Sequence, residues 1–222
     1  MRITETAIPG LLIIDLDVHG DNRGWFKENW QREKLTGLAP ELARFQPVQN
    51  NISFNHAGAT RGLHAEPWDK LISVAQGKIF GAWCDLREGS ESFGEVITHE
   101  IGPETAVFVP RGVANGFQAL EDTSYSYLVN EHWSAEARYA AVNLDIVDWP
   151  LEPTEVSEKD KQHPSLEEVS PMPARRILVT GANGQLGRAL KRLLGDAEFC
   201  SHADFDITCP PERHWKQYSP II

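Results

Sequence analysis

No apolar run in this sequence approaches the roughly 20 residues that a membrane-spanning helix requires. The N-terminus, MRITETAIPGLLIIDLDV, has no basic segment followed by an apolar core, so no secretory leader is read there. Cysteine is scarce. Cys84, Cys200 and Cys209 form an odd, scattered set without the paired spacing of a zinc site or a disulfide framework, and reduced thiols in a soluble cytoplasmic protein are the expectation. Positive charge is also short: 21 Lys and Arg stand against 32 Asp and Glu, for a net charge of -11. That balance excludes a broad basic surface for nucleic acid, so an anionic ligand needs a local cluster drawn from Arg23, Arg61, Lys70 and Arg111.

What is present reads as strands. Residues 11–18, LLIIDLDV, are expected to form a first strand, and Arg23–Trp30 to follow in extended form after the turn at His19–Asn22. Leu35, Leu38 and Leu42 recur at near-helical intervals in an otherwise polar stretch, which predicts a short helix within 31–44. Extended character returns at 45–53, where Gln49, Asn51 and Ser53 share a face. Segments 71–77, 78–87, 95–102, 105–112, 116–122 and 124–133 then follow, cut by Gly, Ser, Pro or Asp. Many short strands at near-regular spacing indicate a sandwich or barrel, so residues 1 to about 150 are read as one all-β unit, a jelly roll whose interior holds the ligand.

The stretch from Arg61 to Lys70, RGLHAEPWDK, carries the clearest chemistry. In a regular strand Arg61, Leu63 and Ala65 face one side, and Gly62, His64 and Glu66 the other. An imidazole beside fixed cations suits proton abstraction next to a carbonyl, because the cation stabilises the enolate that develops. A surface or core histidine is the plain alternative for His64.

After Trp149 the composition changes. Residues 150–174 are rich in Pro and Glu and are read as an extended tail and a linker, the linker at 166–174. From Arg175 the pattern becomes a basic start, a buried-type strand, glycines at 181, 184 and 187, and a helical run, the order of a dinucleotide-binding βα unit. Gly181 suits the tight turn, Gly184 the approach to a pyrophosphate, and Gly187 close helix–strand contact. Some forty-five residues are too few for a working dinucleotide fold, so 175–222 is expected to be an incomplete Rossmann-like fragment of a longer fusion.

DNRGWFKE, QNNIS, TRGLHAEP with Lys70, CDLREGSESFG, VPRGVANGF and VSEKD, in this order over residues 1–165, resemble the dTDP-4-dehydrorhamnose 3,5-epimerases. ILVTGANGQLGRAL resembles the start of dTDP-4-dehydrorhamnose reductase, the next step of dTDP-L-rhamnose synthesis. The resemblance implies a cupin-type jelly roll, a homodimer, and an isomerase that needs no cofactor or metal; NADPH or NADH is implied only for a complete fused reductase. The HxH pair of metal-binding cupins is absent, since Ala65 and Glu66 follow His64, and one His with one Glu are too few ligands.

By position, the resemblance makes His64 the base that takes protons from C3 and C5 of the 4-keto sugar, and Asp160 its carboxylate partner. Lys70 is set near the C4 oxygen. Arg23 and Arg61 contact diphosphate and sugar, and Phe26, Glu28, Gln49 and Asn51 surround the nucleotide and sugar. Three departures stand out. Asn115 replaces a family histidine, the turn from His64 to Lys70 is shorter, and the family's acid tyrosine aligns with Trp133, which cannot supply a proton. Tyr127, Tyr125, His132 or water is then the acid, with Tyr127 taken as the catalytic candidate. A 3-epimerase only, or a sugar-nucleotide-binding module without strong catalysis, are the alternatives.

Overall fold

The structure, a computed structural model, describes residues 1–174, 177–194 and 197–204. It divides into two compact units, Met1–Met172 and the remainder from Pro173. The expected basic start at Arg175 and Arg176, Cys209 and the C-terminal stretch lie outside the described residues.

The regular structure of the first unit is mostly antiparallel strand. Its N-terminal part comprises β1 (Arg2–Glu5), β2 (Leu12–Asp15), the hairpin β3 (Val18–Asp21) and β4 (Gly24–Lys27), and helix α1 (Arg32–Leu38). Eight strands follow: β5 (Gln49–Asn55), β6 (Thr60–Ala65), β7 (Lys70–Gln76), β8 (Ile79–Asp85), β9 (Val96–Ile101), β10 (Thr105–Val109), β11 (Val113–Ala119) and β12 (Thr123–Val129). A two-residue strand, β13 (Ala140–Ala141), ends the series. One sheet has the order β1-β2-β10-β7-β12-β5 and the other β13-β6-β11-β8-β9. From β5 to β12 successive strands alternate between sheets, except that β8 and β9 pair as neighbours, and they form two blocks, 5-12-7-10 and 6-11-8-9. This is the jelly-roll arrangement of two Greek keys.

The segment expected as one strand at 11–18 is divided between β2 and β3, and β1 precedes it. β1 escaped notice because it is an exposed sheet edge with no buried alternation. The helix at 32–38 starts where the Gln31 side chain accepts from the Lys34 N–H, and it ends before Pro40, whose ring disfavours helix at the residue before it. Leu35 and Leu42 are consequently buried, while Leu38, at the break, stays exposed.

Both sheets are covered on both faces. Ile72, Val74, Trp83, Val107 and Phe117 fill the space between them. Leu35, Leu42 and Phe45 cover the outer face of the six-stranded sheet through Leu12, Ile14, Leu71 and Phe108. The outer face of the five-stranded sheet, with Leu63, Ala65, Ala82 and Cys84, meets Val142, Val147, Val169 and Met172.

That last contact corrects the expected linker at 166–174. Residues 166–172 are a docked strap: Leu166 packs on this core, Val169 and Met172 are buried in it, and Met172 exchanges backbone hydrogen bonds with Leu86 and Glu88. Low apolar content hid the docking because backbone bonds hold the strap and two side chains anchor it.

In the second unit β14 (Leu178–Thr180) pairs in parallel with β15 (Glu198–Cys200), and α2 (Gln185–Leu190) lies between them in sequence. Gly181 turns with φ of +72°, and a Cβ at Gly187 would stand 2.5 Å from the Gly181 carbonyl oxygen. The chain passes from strand to helix within a contact that only glycine permits. Among the described residues, no helix is long and apolar enough to cross a membrane.

Met172 tests the strap. Met172→Ala is expected to cost about 2–5 kcal/mol in chemical denaturation, as for other fully buried long side chains; a change below about 0.5 kcal/mol, typical of exposed positions, would restore the linker reading.

Candidate active site

A cavity of about 720 Å³ opens between the two sheets. The six-stranded sheet contributes Asn51 and Ser53 from β5, Lys70 from β7, and Tyr125 and Tyr127 from β12. From the five-stranded sheet come Arg61 and His64 on β6 and Asn115 and Phe117 on β11. The tail after Trp149 closes the side with Glu155, Ser157 and Asp160.

Arg61 and His64 were expected on opposite faces of a regular strand, yet both line the cavity. The pairing of β11 with β6 explains this: Asn115 stands opposite His64 and Phe117 opposite Arg61, so three steps along β6 match two along β11. The extra residue is a bulge, which reverses the alternation. It is built on Gly62, with φ of +120°, where a Cβ would lie 2.5 Å from the Cα of Gly116. Leu63 and Ala65, expected on the face of Arg61, are buried in the core instead.

The bulge also serves the carboxylate. Asp160 Oδ1 lies 2.8 Å from His64 Nε2, and Oδ2 accepts from the Gly62 N–H at 3.2 Å. Burial pushes the Asp160 carboxyl upward, but the bonds from His64 and Gly62 and the charge of the nearby imidazoles outweigh it and hold it below its ordinary value. An ionised Asp160 takes the Nε2 proton as a hydrogen bond and leaves the lone pair on Nδ1, the arrangement of an oriented base. His163 lies edge-on to His64, with ring centroids 5.1 Å apart. His64, Asp160 and His163 each offer a donor atom within 4.8 Å of the others, so a third possible ligand joins a region where sequence reasoning counted too few.

On the opposite wall Lys70, only 8% exposed, gives its ammonium to Glu66 at 2.5 Å and lies 5.2 Å from the ring centre of Tyr127. The short turn therefore still delivers Lys70 to the cavity. Burial and the charge of Glu66 raise the Tyr127 hydroxyl, against a smaller lowering by Arg61, which keeps it protonated and able to donate. Trp133, the position aligned with the family's acid, is 70% exposed and outside the cavity lining. Tyr125 is buried, stacked on Phe117 and bonded to Asn115 at 3.4 Å.

Not every expected residue is in the cavity of this chain. Arg23 is exposed on the β3–β4 hairpin and paired with Asp21; Phe26 and Glu28 border a separate small depression, with Glu28 held by Lys34. Gln49 lies outside the lining and donates to Asn51 at 2.7 Å. Glu155, Ser157 and His163 were missed, since nothing in a polar Pro- and Glu-rich tail marks which residues turn inward.

The family model for dTDP-4-dehydrorhamnose 3,5-epimerase matches residues 5–168. The chain belongs to this family. Its members are isomerases, and the matched stretch ends before the glycine-rich unit. A Streptococcus pyogenes protein described as an RmlC homolog is 53% identical over 176 residues, 74% of this chain and 89% of its own. The dTDP-4-dehydrorhamnose 3,5-epimerase of Pseudomonas aeruginosa is 31% identical over 172 residues, 73% of this chain and 94% of that one. Among solved structures, RmlC from Streptococcus suis in complex with dTDP-D-xylose matches with a TM-score of 0.72 and 50% identity, covering 78% of this chain and 94% of that one. The Legionella pneumophila RmlC in complex with dTDP-4-keto-L-rhamnose matches at 0.69 and 30% identity, over 75% and 93% of the respective chains.

Asp160→Asn keeps the shape and removes the charge. It is expected to lower kcat by about 10²–10⁴-fold, the usual range for a disabled acid–base group, with dTDP affinity changed only slightly. Because its folded carboxyl is held below the ordinary value, Asp160 contributes stability that is full above the unfolded pKa and lost as pH falls through the folded one. Acid denaturation of Asp160→Asn should accordingly begin from a lower plateau and show a shallower pH dependence; superimposable curves would remove the linkage.

Proposed function

We propose that this chain epimerises dTDP-4-keto-6-deoxyglucose at C3 and C5, giving dTDP-4-dehydro-L-rhamnose in dTDP-L-rhamnose biosynthesis. The observation that carries the reading is the placement of His64 and Tyr127 on opposite sheets, facing one cavity. Inversion requires a proton to leave one face of the sugar ring and another to enter from the opposite face. His64 removes the proton next to the C4 ketone, Lys70 stabilises the enolate oxygen, and Tyr127 returns a proton from across the ring. No cofactor is needed, because the ketone itself makes the neighbouring C–H bonds acidic. Arg61 suits the diphosphate, while Asn51, Ser53 and Asn115 offer hydrogen bonds to the sugar. Inversion at C3 alone was favoured only while the acid position fell on Trp133, and Tyr127 supports the double reaction.

We also read the functional unit as a homodimer. β5 is an edge of its sheet, and Ile52 and Phe54 on its outward face are 71% and 58% exposed. A second copy laid on this strand would cover them and account for an exposed hairpin carrying Arg23, Phe26 and Trp25. The substrate class and the free cysteines, Cys84 and Cys200 among the described residues, suit the cytoplasm. The strand–glycine–helix unit with Gly181, Gly184 and Gly187 is read as the opening of a dinucleotide-binding reductase domain that takes NADPH or NADH when complete.

Reaction in heavy water, followed by NMR, tests the chemistry. Deuterium is expected at both C3 and C5 with the wild type and at neither with His64→Asn, which should still bind dTDP. Label at C3 alone in the wild type would leave a 3-epimerase, and no label with dTDP bound would leave a binding module. For assembly, analytical ultracentrifugation of Phe54→Glu is expected to give a monomer where the wild type sediments as a dimer.

A further inference from the structure

Beside the base lies a histidine that the epimerisation leaves unused. His163 follows Asp160 by three residues, where a single turn of 3-10 helix ends, and its side chain is 7% exposed. Both ring nitrogens are buried without a hydrogen-bond partner. Such a state is uncommon, because a buried polar atom that has lost water normally finds another partner. His163 Nε2 stands 3.7 Å from Asp160 Oδ1, the oxygen that already bonds His64 Nε2 at 2.8 Å. Two imidazoles thus converge on one carboxylate oxygen from different sides.

We propose that His64, Asp160 and His163 form a binding site for a divalent cation of the zinc type, and that its occupation switches the epimerase off. Two imidazoles and a carboxylate are a donor set that zinc accepts, with metal–ligand distances of about 2.0–2.2 Å. All three donor atoms already lie within 4.8 Å of one another. Tetrahedral coordination at those bond lengths separates donors by roughly 3.3–3.6 Å, so the His64–Asp160 pair opens slightly and His163 moves inward.

The cation exchanges waters for bonds to His64 Nε2, Asp160 Oδ1 and one His163 nitrogen; the single ring proton of His64 moves from Nε2 to Nδ1, and the hydrogen bond between His64 and Asp160 is broken. The cation thereby takes the carboxylate oxygen that orients the base. With Nε2 on the ion and Nδ1 carrying the proton, the His64 ring has no lone pair left, so it no longer accepts a proton from the sugar. Magnesium and calcium prefer all-oxygen sites and should leave the enzyme unaffected. The inhibitory consequence rests on His64 acting as base, whereas the binding site does not.

The full chain, titrated with Co²⁺ in the absence of sugar nucleotide, is expected to bind one equivalent with the visible absorption of four-coordinate cobalt. Zn²⁺ should displace it. His163→Ala and His163→Gln are each expected to weaken binding by more than about tenfold, the least that loss of a supporting group usually costs a metal site. Both variants should turn over substrate at Zn²⁺ concentrations that inhibit the wild type, and Mg²⁺ should inhibit none of the three. Equal Zn²⁺ sensitivity in wild type and both variants overturns the proposal, as does a thiolate-to-cobalt charge-transfer band, which would put the ion at a cysteine. Cobalt binding that depends on His163, in a protein without epimerase turnover, would support the site and overturn the functional reading instead.

Discussion

The active site depends on one carboxylate. Asp160 is separated from His64 by 96 residues and is 5% exposed, yet it bonds both the imidazole and the N–H of Gly62. A buried carboxylate is costly unless hydrogen bonds replace its water, and both of its oxygens are engaged. Its position is set in turn by the tail that carries it. Thr154 bonds Gly58, Thr60 bonds the Glu155 carbonyl, Asn143 bonds Pro164, and Met172 bonds Leu86. The tail is pinned before and after Asp160, so the base is oriented by a segment fixed to the same sheet that bears it.

The two walls of the sandwich divide the chemistry. His64 and Arg61 belong to the five-stranded sheet, Lys70 and Tyr127 to the six-stranded one. A sheet places side chains within narrow limits because each strand is held by its neighbours, and here β6 and β12 both have partners on either side. The proposed base and acid are therefore both carried by strands held on either side. The bulge at Gly62 is the single irregularity this requires. It brings Arg61 round to the cavity and simultaneously offers a backbone donor to Asp160.

Much of the fold was legible because its signals are local. Each of the strands from β5 to β12 alternates or runs apolar between turn residues, and eight such strands leave few architectures. The bulge was not legible, since it depends on Gly62 meeting Gly116, a residue fifty-four positions away. The docking of 166–172 was hidden for a related reason. Its anchors are two side chains and a few backbone bonds, a sparse pattern that composition reads as linker. At the proposed acid position, motif alignment pointed to Trp133, six residues beyond Tyr127; pairing with β5 and β7 puts Tyr125 and Tyr127 on the same face of β12, and both line the cavity.

In the proposed reaction, the pair formed by Lys70 and Glu66 sets how the enolate is stabilised. A buried ammonium without a counterion is expensive, and Glu66 at 2.5 Å offsets that cost. The same contact also neutralises the charge that the reaction needs. The two demands are compatible because they apply at different times. While the C4 oxygen is a neutral ketone, Glu66 is the stronger acceptor and holds Lys70 in place beside Tyr127. As negative charge develops on that oxygen, it would compete for the same ammonium, whose own side chain is buried, and the Lys70 proton would shift its bonding from carboxylate toward enolate. Stabilisation then grows with the charge of the transition state while the bound ketone is held no more tightly, which is the condition under which an interaction lowers a barrier.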